Sequence, residues 1–284
     1  MKWGDARRSN NVGSAGGGGG GGFKLGIGGV AVVIVLSLLT GRNPLEMLGL
    51  LSQIDQGGQG TEEVQPPNTD DKTVDFVRAI VGETEDVWGE LFQQQGASYA
   101  PPRLILFTGR VQTACGGASS ATGPFYCPGD RQVYLDTSFF DEMRARLGGG
   151  GDFANAYVIA HEVGHHVQTL TGSAQAVDAA RENGRDVSGD NGLLVRQELQ
   201  ADCYAGVWAH VAEQRHHWLE AGDIESALNT ATAIGDDRLQ KESRGTVVPD
   251  TFTHGTSQQR VRWFRKGFDS GKPADCDTFK ASSL

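Results

Sequence analysis

The chain has 284 residues, of which 38% are hydrophobic and 21% charged, a balance that supports a sizeable packed core and excludes a wholly disordered chain. Its net charge of −10 and pI near 5.1 speak against bulk electrostatic binding to nucleic acid or anionic lipid. Four cysteines are too few for a disulfide scaffold.

Residues 1–24 hold four basic groups and one acid, so this stretch carries +3 and the remainder −13. Gly16–Gly22 is a run of seven glycines. It reads as a flexible linker, because glycine loses the most backbone entropy on ordering. Between Lys24 and Arg42 lie 17 residues without a charge. As a helix they would span roughly 25 Å, the short end of what crosses a bilayer. A buried soluble helix would show a polar face, which this stretch lacks. A cleaved signal peptide would have a shorter leader and a small-residue site after the span. The preferred reading is a transmembrane anchor over 25–41. Lys2, Arg7, Arg8 and Lys24 precede it and Arg42 alone follows closely, so the positive-inside rule places residues 1–24 in the cytoplasm as a basic, Gly-rich tail. Everything after Thr40 is then extracytoplasmic. Pro44–Leu51 is apolar enough for the membrane interface, and 55–71 is polar and rich in Gly and Pro. Residues 42–71 therefore read as an interfacial segment and tether. One folded domain over 72–284 remains, carrying −8.

Within that domain, apolar residues at helical spacing predict a helix over 72–95, stopped by Pro101 and Pro102. Strands follow at 104–107 and 132–136, with a small-residue loop or hairpin over 116–129 between them. Helices are predicted at 139–147, 152–170 with Asp152 as N-cap, 192–221, 224–240, and 257–268 with Ser257 as N-cap. A few early strands and later helices make an α+β fold.

The segment Val158–Val167 contains H-E-x-x-H: His161, Glu162 and His165. Positions i and i+4 share a helix face, so both imidazoles can address one metal ion, with Glu162 beside it to take a proton from bound water. The surrounding residues are uncharged, and burying two histidines and a glutamate without a partner would be costly. A catalytic zinc site needs a third protein ligand and an open position. The best candidate is Glu198, 33 residues after His165 on a second predicted helix, with Asp202 one turn further on the same face. A carboxylate there can accept the free N–H of a ligating histidine. His166 faces about 100° away from the ligand face and is not read as a ligand. His210, His216 and His217 read as solvated.

H-E-x-x-H followed by E-x-x-x-D on a later helix resembles the gluzincin zinc metallopeptidases. The resemblance implies that Glu198 is the third ligand of one Zn²⁺ ion and that Asp202 supports His161. It narrows with Lys2-Trp3, Arg7–Val12, the Gly-rich stretch, one span, HEVGHH, ELQADC and THGTS…RV at 253–261. Together these resemble the neutral zinc metallopeptidase family of bacterial single-pass membrane proteins, over nearly the whole chain. The fold implied is zincin-like, with a small early sheet and a mostly helical remainder. The activity implied is hydrolysis of peptide bonds in a peptide or protein substrate by a zinc-activated water, with Glu162 as general base. His254, in a segment similar to one late in membrane-associated gluzincins, is the candidate oxyanion donor, and Arg260 could support the same region. By analogy with zincins, the strand at 132–136 is the edge that aligns an extended substrate.

The cysteines lack zinc-finger spacing and allow three pairings. For an exported domain, Cys115–Cys127 and Cys203–Cys276 are preferred; four buried thiols is the alternative. A non-catalytic, zinc-stabilised membrane scaffold also stays open, but a purely structural site does not need Glu162 and usually closes its fourth position.

Overall fold

The computed structural model describes residues 1–15, 64–146 and 150–284. The anchor read at 25–41, the glycine run and most of the tether lie outside the described residues. No helix among the described residues is long and apolar enough to cross a membrane.

The first strand, β1 (Val12–Ala15), is followed by β2 (Val64–Gln65) and by helix α1 (Lys72–Gln94). Asp71 caps α1 by accepting from the Thr73 and Val74 N–H groups. Then come β3 (Arg103–Phe107), the hairpin β4 (Arg110–Thr113) and β5 (Gly116–Ser119), β6 (Phe125–Cys127) and β7 (Gln132–Asp136). The helices that follow are α2 (Ser138–Arg146), α3 (Asp152–Thr171), α4 (Gln175–Glu182), α5 (Leu193–His216), α6 (Asp223–Ala233), α7 (Asp236–Arg244) and α8 (Ser257–Ser270). The architecture is α+β, with a small sheet and mostly helices.

Five strands form the main sheet in the order β2-β1-β3-β7-β6. β1, β3 and β7 run parallel; β2 and β6 are antiparallel edges. Alternation along β3 sends Leu104 and Leu106 to the large helical core and Ile105 and Phe107 to a smaller cluster with Val111 and Tyr134. The large core is rich in rings: Trp88, Trp208, Trp218, Trp263, Phe153 and Phe264 are all buried in it.

Close backbone approaches set the helix pairs. A Cβ at Gly164 of α3 would stand 3.1 Å from the Ala201 Cα of α5. A Cβ at Gly267 of α8 would stand 1.9 Å from the Cys203 carbonyl oxygen, so α8 lies directly on α5. Cys203 is bonded to Cys276, and Cys115 to Cys127.

Several expectations are corrected. Residues 1–15 are not a tail apart from the domain. The Met1 ammonium lies 2.7 Å from Glu220, Trp3 Nε1 donates to Asp152 at 2.7 Å, and the Ser9 N–H donates to the Arg78 carbonyl. Arg7 pairs with Glu85 and Asp86, and Arg8 with Asp75. The basic cluster is the complement of acids on α1. β7 is not an edge: β3 and β6 flank it, and β6 is the edge. The helix read at 224–240 is two helices, α6 and α7, broken at Gly235, where a Cβ would meet the Ser257 nitrogen at 2.5 Å. Gly151 and Thr256, rather than Asp152 and Ser257, are the N-caps, and Thr256 forms a capping box with Gln259. His216 and His217 are exposed as read, although His216 Nε2 also lies 2.8 Å from buried Glu83; His210 is half-buried, its Nδ1 donating to the Phe268 carbonyl.

Candidate metal centre

α3 and α5 cross where Gly164 meets Ala201, and this crossing brings the H-E-x-x-H turn against Glu198. His161 Nε2 lies 3.2 Å from Glu198 Oε2, and His165 Nε2 lies 3.5 Å from Glu198 Oε1. One ligand atom from each of the three residues lies within 4.8 Å of the others. Tetrahedral ligands about 2.05 Å from a common zinc ion stand roughly 3.3 Å apart, so the spacing fits that ion. Among the described residues no fourth His, Cys, Asp or Glu joins the group. One position is therefore open, as a catalytic rather than a purely structural site requires.

Each histidine is oriented from behind. His161 Nδ1 donates to Asp202 Oδ1 at 2.9 Å, and His165 Nδ1 donates to Gln168 Oε1 at 2.9 Å. Gln168 is held in turn by the Gln197 carbonyl and Gln200. Asp202 is fully buried and accepts four donors: His161, the Tyr157 hydroxyl at 2.6 Å, and Arg260 Nε and Nη2, both at 2.9 Å. Burial opposes its charge, yet Arg260 and His161 hold its carboxyl well below the usual range. Arg260, itself buried on α8, therefore acts beneath the metal centre as the countercharge of Asp202.

Glu162 is buried on the wall of the cleft that these donors line, and burial pushes its pKa up against the pull of the two histidines. Tyr126, on edge strand β6, lines the same cleft. His166 points away: its Nε2 donates to the Ala100 carbonyl at 2.7 Å, and burial lowers its pKa. His254 stands on the loop before α8, half exposed on the cleft wall. Asp236 builds that loop, its Oδ2 accepting the N–H groups of Thr253, His254 and Gly255. Its Oδ1 lies 3.3 Å from His254 Nδ1, which with nearby Glu198 raises the His254 pKa. His161, Glu162, His165, Glu198 and His254 share one cleft of about 800 Å³, which β6 also lines.

Sequence reasoning missed Tyr157, Gln168 and Asp236. Gln168 carried a signal, three residues after His165 on the same helix face. Tyr157 sits one turn before His161 in the same way. Asp236 carried none, because its partners are 17 to 19 residues away in an irregular loop.

In the metal-free protein, burial opposes charge on His161, but Asp202 and Glu198 outweigh it and push its pKa up to about 10. His165 is raised as well, by Glu198. Zinc binds neutral imidazole, so loading at pH 7 is expected to release roughly one to two protons per ion. Calorimetry in buffers of different ionisation enthalpy reads this; binding without proton release would contradict it.

The two histidines and the glutamate make a candidate metal centre with a donor set that suits zinc. The family model described as "Putative neutral zinc metallopeptidase" matches residues 1–279, and the chain belongs to that family. It is 49% identical over 291 residues to the "Uncharacterized protein YpfJ" of Escherichia coli K12, covering 99% of this chain and all of that one. It is 44% identical over 218 residues to the "Uncharacterized protein Rv2575" of Mycobacterium tuberculosis, covering 73% of this chain and 71% of that one. No solved structure matches.

Proposed function

We propose that this protein is a zinc-dependent endopeptidase acting on extended segments of polypeptide substrates. One observation carries the reading: a buried glutamate, Glu162, lines the same wide cleft as the His161–His165–Glu198 donor group. When bound there, zinc supplies a Lewis acid that polarises the scissile carbonyl and lowers the pKa of water.

The chain's own residues do the rest. Glu162 accepts the proton of the attacking water and passes it to the leaving amine. Its raised pKa suits a group that must both take and give that proton. His254, held by Asp236, donates to the developing oxyanion. Asp202 and Gln168 fix the imidazoles so that Nε2 of each faces the ion. β6 offers its outer edge to the substrate backbone, in place of β7. The two disulfides favour an oxidising compartment for the domain.

The test uses purified protein and unfolded polypeptide substrates, with internal cleavage products mapped by mass spectrometry. Cleavage is expected to stop on chelation and to return with added zinc. Cleavage that survives complete metal removal would sink the reading, as would inertness of the zinc-loaded protein across a broad substrate panel. His254→Ala is expected to lower kcat by about 10²-fold with KM little changed, the low end for an oxyanion donor because the ring is half exposed.

A further inference from the structure

The pairing of β1 constrains how this chain can meet a membrane. β1 pairs on one side with β2, with Ser14 opposite Gln65 and Ala15 opposite Val64. On the other side it pairs with β3, with Val12, Gly13 and Ser14 opposite Leu104, Ile105 and Leu106. The chain therefore leaves the sheet at Ala15 and rejoins it at Val64, its direct partner. Such partners stand about 5 Å apart. Residues 16–63 are an insertion between two adjoining strands.

That insertion contains the 17-residue uncharged stretch and nothing that could carry the chain back across a bilayer. Residues 43–63 include Glu46, Asp55, Glu62 and Glu63, and their longest uncharged run, Met47–Ile54, has eight residues. A spanning helix needs about 20. One passage would put Ala15 and Val64 on opposite sides of a hydrocarbon core about 30 Å thick. Adjacent strands of one sheet cannot be so divided.

The charge asymmetry behind a cytoplasmic N-terminus also shrinks. Arg7 is paired with Glu85 and Asp86, and Arg8 with Asp75, inside the fold. Lys24 and Arg42 remain beside the stretch, one at each end, and they favour neither orientation.

We propose that residues 1–15 and the metal domain lie on the same side of any membrane the chain meets. This replaces the single-pass arrangement expected from sequence. It rests on strand register and stands independently of the peptidase reading. The insertion joins the sheet at the β1–β2 edge, while the metal cleft adjoins β6 at the other edge. Four strand spacings, about 19 Å, separate the two edges.

The experiment uses the full chain in bacterial membranes. Asn10→Cys and Ser98→Cys, both at exposed positions in the described parts, are labelled separately with a membrane-impermeant maleimide before and after permeabilisation. Both are expected to label under the same condition. Labelling of one in intact spheroplasts and of the other only after lysis would overturn the proposal. A second measurement tests the pairing itself: Ser14→Cys with Gln65→Cys is expected to cross-link on mild oxidation. A double variant that binds zinc like the parent but does not cross-link would also overturn it.

Discussion

Glu162→Gln is expected to lower kcat by about 10²- to 10⁴-fold while leaving zinc content unchanged. The amide keeps the size of the side chain, so the cleft wall is preserved. What it loses is the capacity to take a proton from water. The donor group consists of His161, His165 and Glu198, so affinity for the ion does not depend on Glu162 directly. Stability is expected to hold or rise in the metal-free protein. Burial raises the folded-state pKa of Glu162, so stability falls as pH rises from its ordinary value of 4.5 through the raised one. Glutamine removes that loss at neutral pH. Parallel metal analysis, thermal unfolding and single-substrate kinetics separate these effects. A variant with parental kcat would exclude Glu162 as the base, and one that had lost zinc would move it into the metal shell.

Arg260→Met is expected to cost about 3–5 kcal/mol of stability and to weaken zinc binding about 10- to 100-fold. Arg260 gives Asp202 two hydrogen bonds at 2.9 Å, and both side chains are buried. Removing the guanidinium leaves a buried carboxylate with only His161 and the Tyr157 hydroxyl. The position of His161 then becomes less fixed. Asp202 has a depressed folded-state pKa, so its contribution is complete above the ordinary value of 3.8 and is lost only as pH falls well below it. Arg260→Lys is expected to cost less, since it keeps the charge but not the fork. Urea unfolding and competition with a zinc chelator read the two effects. Unchanged stability and unchanged zinc affinity in the methionine variant would show that Asp202 needs no buried countercharge.

Much of the site was legible because its chemistry is written at helical spacing. His161, Glu162 and His165 lie within one helix, and Glu198 and Asp202 within another. Neither pair needs tertiary information to share a face. The helices at 72–94 and 152–171 were equally plain, being long, with the second apolar and buried nearly all round. β1 was not legible. It is four residues, Val-Gly-Ser-Ala, without alternation, and its partners lie about 50 and 90 residues away. Beside a glycine run, a basic cluster reads as a tail until the acids of α1 are placed against it. β6 was hidden in a similar way. Phe125–Cys127 sits among Gly and Pro, so β7 passed for the edge. Arg260 stood near a motif, but the sequence could not say that its guanidinium turns inward to Asp202 rather than outward to substrate.

β1 also bears on the order in which the molecule is assembled. It is an interior strand of the main sheet, made first, and it must wait for β3, some 90 residues later, before it has a parallel neighbour. Contacts so distant in sequence close late and slowly. By then the apolar stretch has already left the ribosome. The sheet can close around β1 only if that stretch has been settled without drawing β1 away. Proteolytic removal of everything up to the stretch, as in leader processing, would take an inner strand with it. For this chain, removal of everything up to the apolar stretch and possession of a complete sheet are mutually exclusive.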